Sequence, residues 1–174
     1  MSEPDTTWTK LASRIMRGVL ARKGISYAAL ASLLKEHGIE ETATARSVEG
    51  KIQRGAFKFA FFLQSLSVIG AEYPSQWRTI VDGRGSWEQR AHRILTNEMG
   101  MRPNLAFTEL AHRLNGIGVA ISSQILADEV ASGAYPLTLL LQCAAVLWVA
   151  DLERFVDPSD LRAAGALSAA PPPR

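Results

Sequence analysis

Along residues 8–22, Leu11, Ile15, Val19 and Leu20 fall on one stripe while Arg14 and Arg17 take polar positions, the period of an amphipathic helix. Gly24 stands just past the last turn, where a glycine adopts the left-handed capping conformation at little cost. A second helix starts behind Ser26, a favourable N-cap, carries Tyr27, Leu30, Ala31 and Leu34 at helical spacing, and stops at Gly38. Residues 44–53 predict a third helix on the pair Val48 and Ile52, with Gly55 closing it. Residues 59–68 are apolar almost throughout, so a fourth helix is expected there as the one most enclosed by the others.

The same pattern then returns. Trp8, Ala12, Arg14 and Ile15 reappear 79 positions later as Trp87, Ala91, Arg93 and Ile94. After one inserted residue SYAALASLL, from Ser26, aligns with AFTELAHRL, from Ala106. RGAFKFAFFLQSL, from Arg54, aligns with SGAYPLTLLLQCA, from Ser132, at an offset of 78. A repeat of this length is one supersecondary unit used twice. The second copy therefore predicts helices over residues 87–99, 107–114, 122–131 and 137–150, punctuated by Asn115, Gly116 and Gly118.

The reading is an all-α chain of two tandem four-helix domains. The first spans residues 1–72 and the second 87–157, joined by a connector over 73–86 that contains Pro74, Gly83 and Gly85 and a short helical turn near Trp77. After Asp157-Pro158 the sequence allows a last short helical turn, but residues 158–174 end in small residues and prolines and are expected as a flexible tail that carries no function.

Hydrophobic residues make up 47% of the chain and charged residues 21%, a composition that excludes disordered and collagenous classes. The net charge is only +2, so distribution matters more than the total. Residues 1–80 carry eleven basic and seven acidic side chains, whereas residues 81–174 carry eight and ten. The lone Cys143 forms no internal disulfide and sits in an apolar run, where a small buried hydrophobe is expected. The start MSEPDTTWTK lacks the pattern of a secretory signal, and the apolar run 137–150 is too short to span a membrane. A cytoplasmic protein is the expectation.

The stretch GISYAALASLLKEHGIEETATARSVEGKIQRG resembles the helix-turn-helix of lambda-repressor-like regulators, with leucine-alanine, leucine and glycine at matching intervals and a polar helix ending in arginine-glycine. With the following AFKFAFFLQSLSVIG it is similar to a small bacterial family of uncharacterised helix-turn-helix domains, to which both copies conform over most of residues 8–150. The resemblance implies two helix-turn-helix-like domains, the first basic and the second divergent. One departure is plain: the turn HGIEETATA is longer than the three or four residues of the common motif.

A helix entering a major groove needs polar or basic side chains on one side and apolar anchors on the other. In the third helix Arg46, Ser47, Glu49, Gly50, Lys51, Gln53 and Arg54 supply the polar side, and Val48 and Ile52 the anchors. Arg46 and Gln53 are the leading base readers, since arginine grips guanine bidentately and glutamine pairs with adenine. Thr42, Thr44, Lys51, Arg54 and Lys58 are candidates for phosphate contacts, with Arg14 and Arg17 adding backbone contacts from the first helix. The equivalent helix of the second copy, SSQILADEVASG, has no basic residue and carries Asp128 and Glu129, so it repels phosphate.

Other chemistries find no support. His37, His92 and His112 lack ligand spacing, Ser26 and Cys143 lack a partnered histidine, and Gly83 and Gly85 follow no strand. The four tryptophans read as core or interface aromatics. Neither a cofactor nor enzymatic activity is expected. The expected partner is double-stranded DNA, read by a transcriptional regulator or nucleoid-associated factor, with the second repeat supplying a homodimer contact or a protein partner and no membrane involved. The rival class is a helical protein-interaction adaptor without DNA binding, since a fold does not fix a function.

Overall fold

The computed structural model describes residues 6–169, and among these there are ten α-helices and no strand. The first repeat contains α1 (Thr6–Lys23), α2 (Tyr27–Glu36), α3 (Ala45–Arg54) and α4 (Phe59–Val68). The second contains α6 (Trp87–Gly100), α7 (Phe107–Gly116), α8 (Ser123–Ser132) and α9 (Leu137–Leu147). Between them lies α5 (Ser75–Val81), and after them a 3₁₀ turn at Leu152–Arg154 and α10 (Pro158–Ala169). Caps fall where expected: Ser26 accepts from the Ala29 amide at 3.1 Å, and Gly24, Gly38, Gly55 and Gly133 all have positive φ.

The repeats do not sit side by side as separate bundles. α1 packs on α3 of its own repeat and on α9 of the other, while α6 packs on α8 and on α4. α4 and α9 also touch each other, so each apolar fourth helix is covered largely by the opposite repeat. This exchange obeys an approximate two-fold relation. The Phe59 amide donates to the Tyr135 carbonyl at 3.0 Å, and the Leu137 amide donates to the Phe57 carbonyl at 3.0 Å, each pair the repeat-equivalent of the other. Phe59 stacks on Tyr135 with centroids 5.7 Å apart. The result is one continuous core running from Trp8 through Leu63 and Leu95 to Ala164.

Two glycines let the third helix of each repeat cross closely over the first helix of the same repeat. Gly55 at φ 70° lies against the Thr9 backbone, and Gly133 at φ 66° lies against the Glu88 backbone, so a Cβ at either place would overlap a carbonyl of α1 or α6. The closing glycine of each third helix is thus a steric requirement of helix crossing as well as a cap.

Three segments differ from the sequence reading. The connector holds a full helix, α5, because Trp77 and Val81 are buried in the shared core. α9 stops at Leu147 and not at residue 150, since Trp148 leaves the helix with φ 49°. Residues 158–169, expected as a flexible tail, form α10, which buries Leu161 and Ala164 against α9 and α1. The rest of that tail, 170–174, lies outside the described residues.

Three outcomes follow. Gly55→Ala is expected to destabilise the chain by at least about 2 kcal/mol in urea denaturation. Gly18→Ala, on α1 with open space where the methyl would sit, is expected to stabilise it by about 0.5–1 kcal/mol. Residues 1–82 alone are expected to show no cooperative thermal transition by circular dichroism, and to regain one on mixing with residues 83–174. A stable isolated first repeat would contradict the exchanged core.

Candidate nucleic-acid interface

α3 is held from below by Val48 and Ile52, both buried, which turn the opposite side of the helix outward. Its first turn is fixed by a reciprocal cap. Thr44 Oγ1 accepts from the Ser47 amide at 3.0 Å, and Ser47 Oγ accepts from the Thr44 amide at 2.9 Å. Outward-facing Arg46, half-buried Gly50 and exposed Arg54 follow at i, i+4 and i+8 and form one strip along the helix. Gly50 has no side chain, and a Cβ there would come within 3.2 Å of Arg54 Nη1. Arg54 therefore lays its guanidinium along the space beside Gly50 that a side chain would otherwise fill.

The sequence-selected residues divide into those free to meet a ligand and those already engaged. Arg46, Arg54, Lys58 and Thr42 are exposed, and none makes a side-chain hydrogen bond or salt bridge among the described residues. Lys51 is different: its Nζ donates to Glu40 Oε2 at 3.0 Å and lies 4.5 Å from the centre of the Phe61 ring. Burial of most of its stem and this paired ammonium make it a tie between the 37–44 loop, α3 and α4. Gln53 Nε2 donates to Glu49 Oε1 at 3.0 Å, so its amide is held by its own helix. Thr44 and Ser47 spend their hydroxyls on the cap. These four, expected as base or phosphate contacts, have structural partners that a ligand would have to displace.

Arg14 and Arg17 were expected to add backbone contacts beside α3. They line a cleft between α1 and α10 with Lys10, Asp160, Ala163 and Leu167; Arg14 forms a salt bridge to Asp160 at 2.9 Å, and Arg17 is exposed with no salt bridge among the described residues. The reason is α10, a twelve-residue helix where the sequence allowed only a short turn before a tail, which brings Asp160 against α1. The turn between α2 and α3, residues 37–44, is long as read from the sequence. It is ordered by Gly38 at φ 65° and by Ala43, which is buried.

α8 shows what the same scaffold does with other side chains. It keeps the serine cap, with Ser122 Oγ accepting from the Ile125 amide at 3.2 Å, and buries Leu126 and Val130. The strip equivalent to Arg46, Gly50 and Arg54 reads Gln124, Asp128 and Ser132. Gln124 Nε2 donates to Asp128 Oδ1 at 3.0 Å, and Ile125 is 56% exposed. The two outer helices thus present opposite charge.

The remaining reactive groups serve the fold. His92 Nδ1 bonds the Val130 carbonyl at 2.8 Å and His37 Nδ1 the Leu33 carbonyl at 2.9 Å. Burial pushes the Cys143 thiol up to about 12, which keeps it protonated and unreactive in the folded chain. Among the described residues no cluster of His, Cys, Asp and Glu is suited to hold a metal ion. No helix among them is long and apolar enough to cross a membrane. Gly50 is the site residue that the sequence reading named without giving it a role. Its signal was present, because a glycine in the middle of a ten-residue helix costs stability unless something needs the space.

Fold and surface together define an all-α protein of two tandem helical repeats, only the first of which has a basic outer helix. A family profile described as "Domain of unknown function (DUF6471)" matches the chain twice, over residues 8–73 and 87–152. These two matches take in well over half of the chain, which belongs to that family. No curated protein and no solved structure matches it.

The division of roles along α3 is measurable without any ligand. Lys51→Ala is expected to lower stability by about 1 kcal/mol through loss of the Glu40 pair and the Phe61 contact. Arg46→Ala is expected to stay within about 0.5 kcal/mol of the unaltered chain in the same denaturation experiment. Equal losses at both positions would contradict the assignment.

Proposed function

We propose that the protein binds duplex DNA through the outer strip of α3, acting as a transcriptional regulator or nucleoid-associated factor. The observation that carries this reading is the pair of exposed arginines on one strip of α3, neither in a salt bridge among the described residues, with Arg54 lying back over Gly50. Eight residues separate Arg46 from Arg54, about 12 Å along a helix axis, which is comparable to the width of a major groove at about 12 Å. Without a side chain, Gly50 leaves room for the Arg54 guanidinium to lie along the helix, from where it swings out to a phosphate. Arg54 and Lys58, at the end of α3 and just before α4, supply charge for the backbone, while Arg46 in the first turn is the base reader.

Lys51, Thr44 and Ser47 support this surface from within and are not its contacts. Gln53 reaches a base only by releasing Glu49. Nucleoid association accords with a short basic strip and few base-reading groups, and sequence-specific regulation requires Arg46 to act bidentately on guanine.

A second reading has its own observation. Ile125 stands exposed on α8 beside Asp128 and Glu129, a combination suited to a protein partner and not to phosphate. An adaptor would use α8 and leave α3 unoccupied.

The deciding experiment is fluorescence anisotropy with random genomic duplex fragments titrated in salt, followed by sequencing of the retained fragments. Arg46→Ala is expected to cost about 1–3 kcal/mol of binding and to relax sequence preference. Arg54→Ala is expected to weaken all sequences alike and to lower the salt slope by about one. No retention of the unaltered protein at low salt would sink the DNA reading and favour the adaptor.

A further inference from the structure

The two repeats part company at the end of their fourth helices. After α4 the chain passes through Gly70 at φ 65°, a left-handed position that glycine takes freely. The equivalent residue after α9 is Trp148, at φ 49°. A tryptophan in this region is strained, and it persists only when its surroundings hold it there.

The hold is visible. Arg102 donates to the Leu147 carbonyl through Nε at 2.9 Å and Nη2 at 2.7 Å, and to the Trp148 carbonyl through Nη2 as well. Arg102 in turn pairs with Glu98 at 3.4 Å, a carboxylate that is fully buried. Glu98 also accepts from Trp77 Nε1 at 2.9 Å and from Gln76 Nε2 at 3.2 Å, and Gln76 Nε2 donates to the Ala150 carbonyl at 2.7 Å. The first repeat has Val19 where the second has Glu98. A buried carboxylate is costly, so one that anchors the donors to the carbonyls of Leu147, Trp148 and Ala150 marks a position whose geometry matters.

What this network displays is an indole. Trp148 is 68% exposed, whereas Trp8 and Trp77 are fully buried. Beside it runs a groove of about 390 Å³ lined by Leu147, Val149, Leu152, Val156 and Leu161. Glu153 and Arg162 also line it, both exposed and neither in a salt bridge among the described residues. Exposed aromatic knob, the apolar hole whose wall it also forms, and one exposed charge of each sign therefore share a single face, with Arg162 also acting on the nearby Asp157.

We infer that this face binds a second copy of the chain across a two-fold axis, each copy inserting Trp148 into the groove of the other. A two-fold contact needs one patch that complements itself, and a knob next to its own hole meets that condition. The charges agree with it, because the axis sets Glu153 of each copy against Arg162 of the other. Tryptophan is the residue type most often found as the anchor of such contacts. This dimer does not depend on the DNA reading, since it uses the face formed by α9, the 3₁₀ turn and α10 and leaves α3 outside the contact.

Sedimentation equilibrium of the full chain over a range of concentrations tests the inference. The unaltered protein is expected to dimerise. Trp148→Gly, which restores the residue of the first repeat and relieves its strain, is expected to weaken the dimer roughly 30-fold or more while keeping the thermal transition. Glu153→Arg and Arg162→Glu are each expected to weaken it, and the double exchange to recover it. A monomer at all concentrations overturns the proposal, as does a Trp148→Gly dimer of unchanged affinity. Should Trp148→Gly fail to fold, the charge exchange decides alone: recovery in the double variant supports the two-fold contact, and its absence overturns it.

Discussion

The antiparallel backbone contact between residues 57–59 and 135–137 is the constraint around which the rest of the molecule is arranged. Each segment donates one amide and accepts one, and the four residues involved are the entries to α4 and α9. Those two helices are apolar nearly all round, and such a helix must be enclosed on every side. Two short helices and the preceding one from the same repeat do not suffice. Pinning the helix entries together lets α1 close over α9 and α6 close over α4. Tyr135, buried between them, stacks on Phe59 and donates its hydroxyl to the Ala91 carbonyl at 2.5 Å, satisfying the single polar atom that the junction buries there.

With the fourth helices inside, the third helices lie outside. α3 and α8 have the same anchoring pairs, Val48 with Ile52 and Leu126 with Val130, and the same glycine closure. They differ in what faces solvent, basic in one and acidic with an exposed isoleucine in the other. One backbone thus offers two unlike surfaces at related positions, and a third face, around Trp148, exists only in the second repeat. Surface chemistry has changed where the crossing geometry has not, because the crossing tolerates little: a Cβ at Gly55 or Gly133 meets a carbonyl of a neighbouring helix.

Charge on the outer face of α3 is set as much by pairing as by composition. Of the basic side chains assembled from the sequence, Lys51 is neutralised by Glu40 and Arg14 by Asp160. Their partners lie 11 residues away in one case and on a helix from the far end of the chain in the other. What remains on α3 and just beyond it is a narrow strip of Arg46, Arg54 and Lys58, with Arg54 lying over Gly50, while Arg17 stays exposed in the cleft between α1 and α10.

The sequence by itself determined the repeat, the eight principal helices, most caps and the buried stripes, since each rests on spacing within a few residues or on a comparison of one half with the other. It also separated the basic third helix from the acidic one, because those charges are written in ten consecutive positions. Only the tertiary structure decided that the repeats exchange their covering helices, that α10 folds back on α1, and that Lys51, Gln53, Thr44 and Ser47 are engaged within the chain. Trp148 shows why. In sequence it reads as one more apolar residue ending an apolar helix, and its exposure follows from a left-handed backbone held by Arg102 and Glu98, residues 46 and 50 positions earlier. Periodicity reports which face of a helix is apolar, but what covers that face, and which charges meet, depends on contacts between distant parts of the chain.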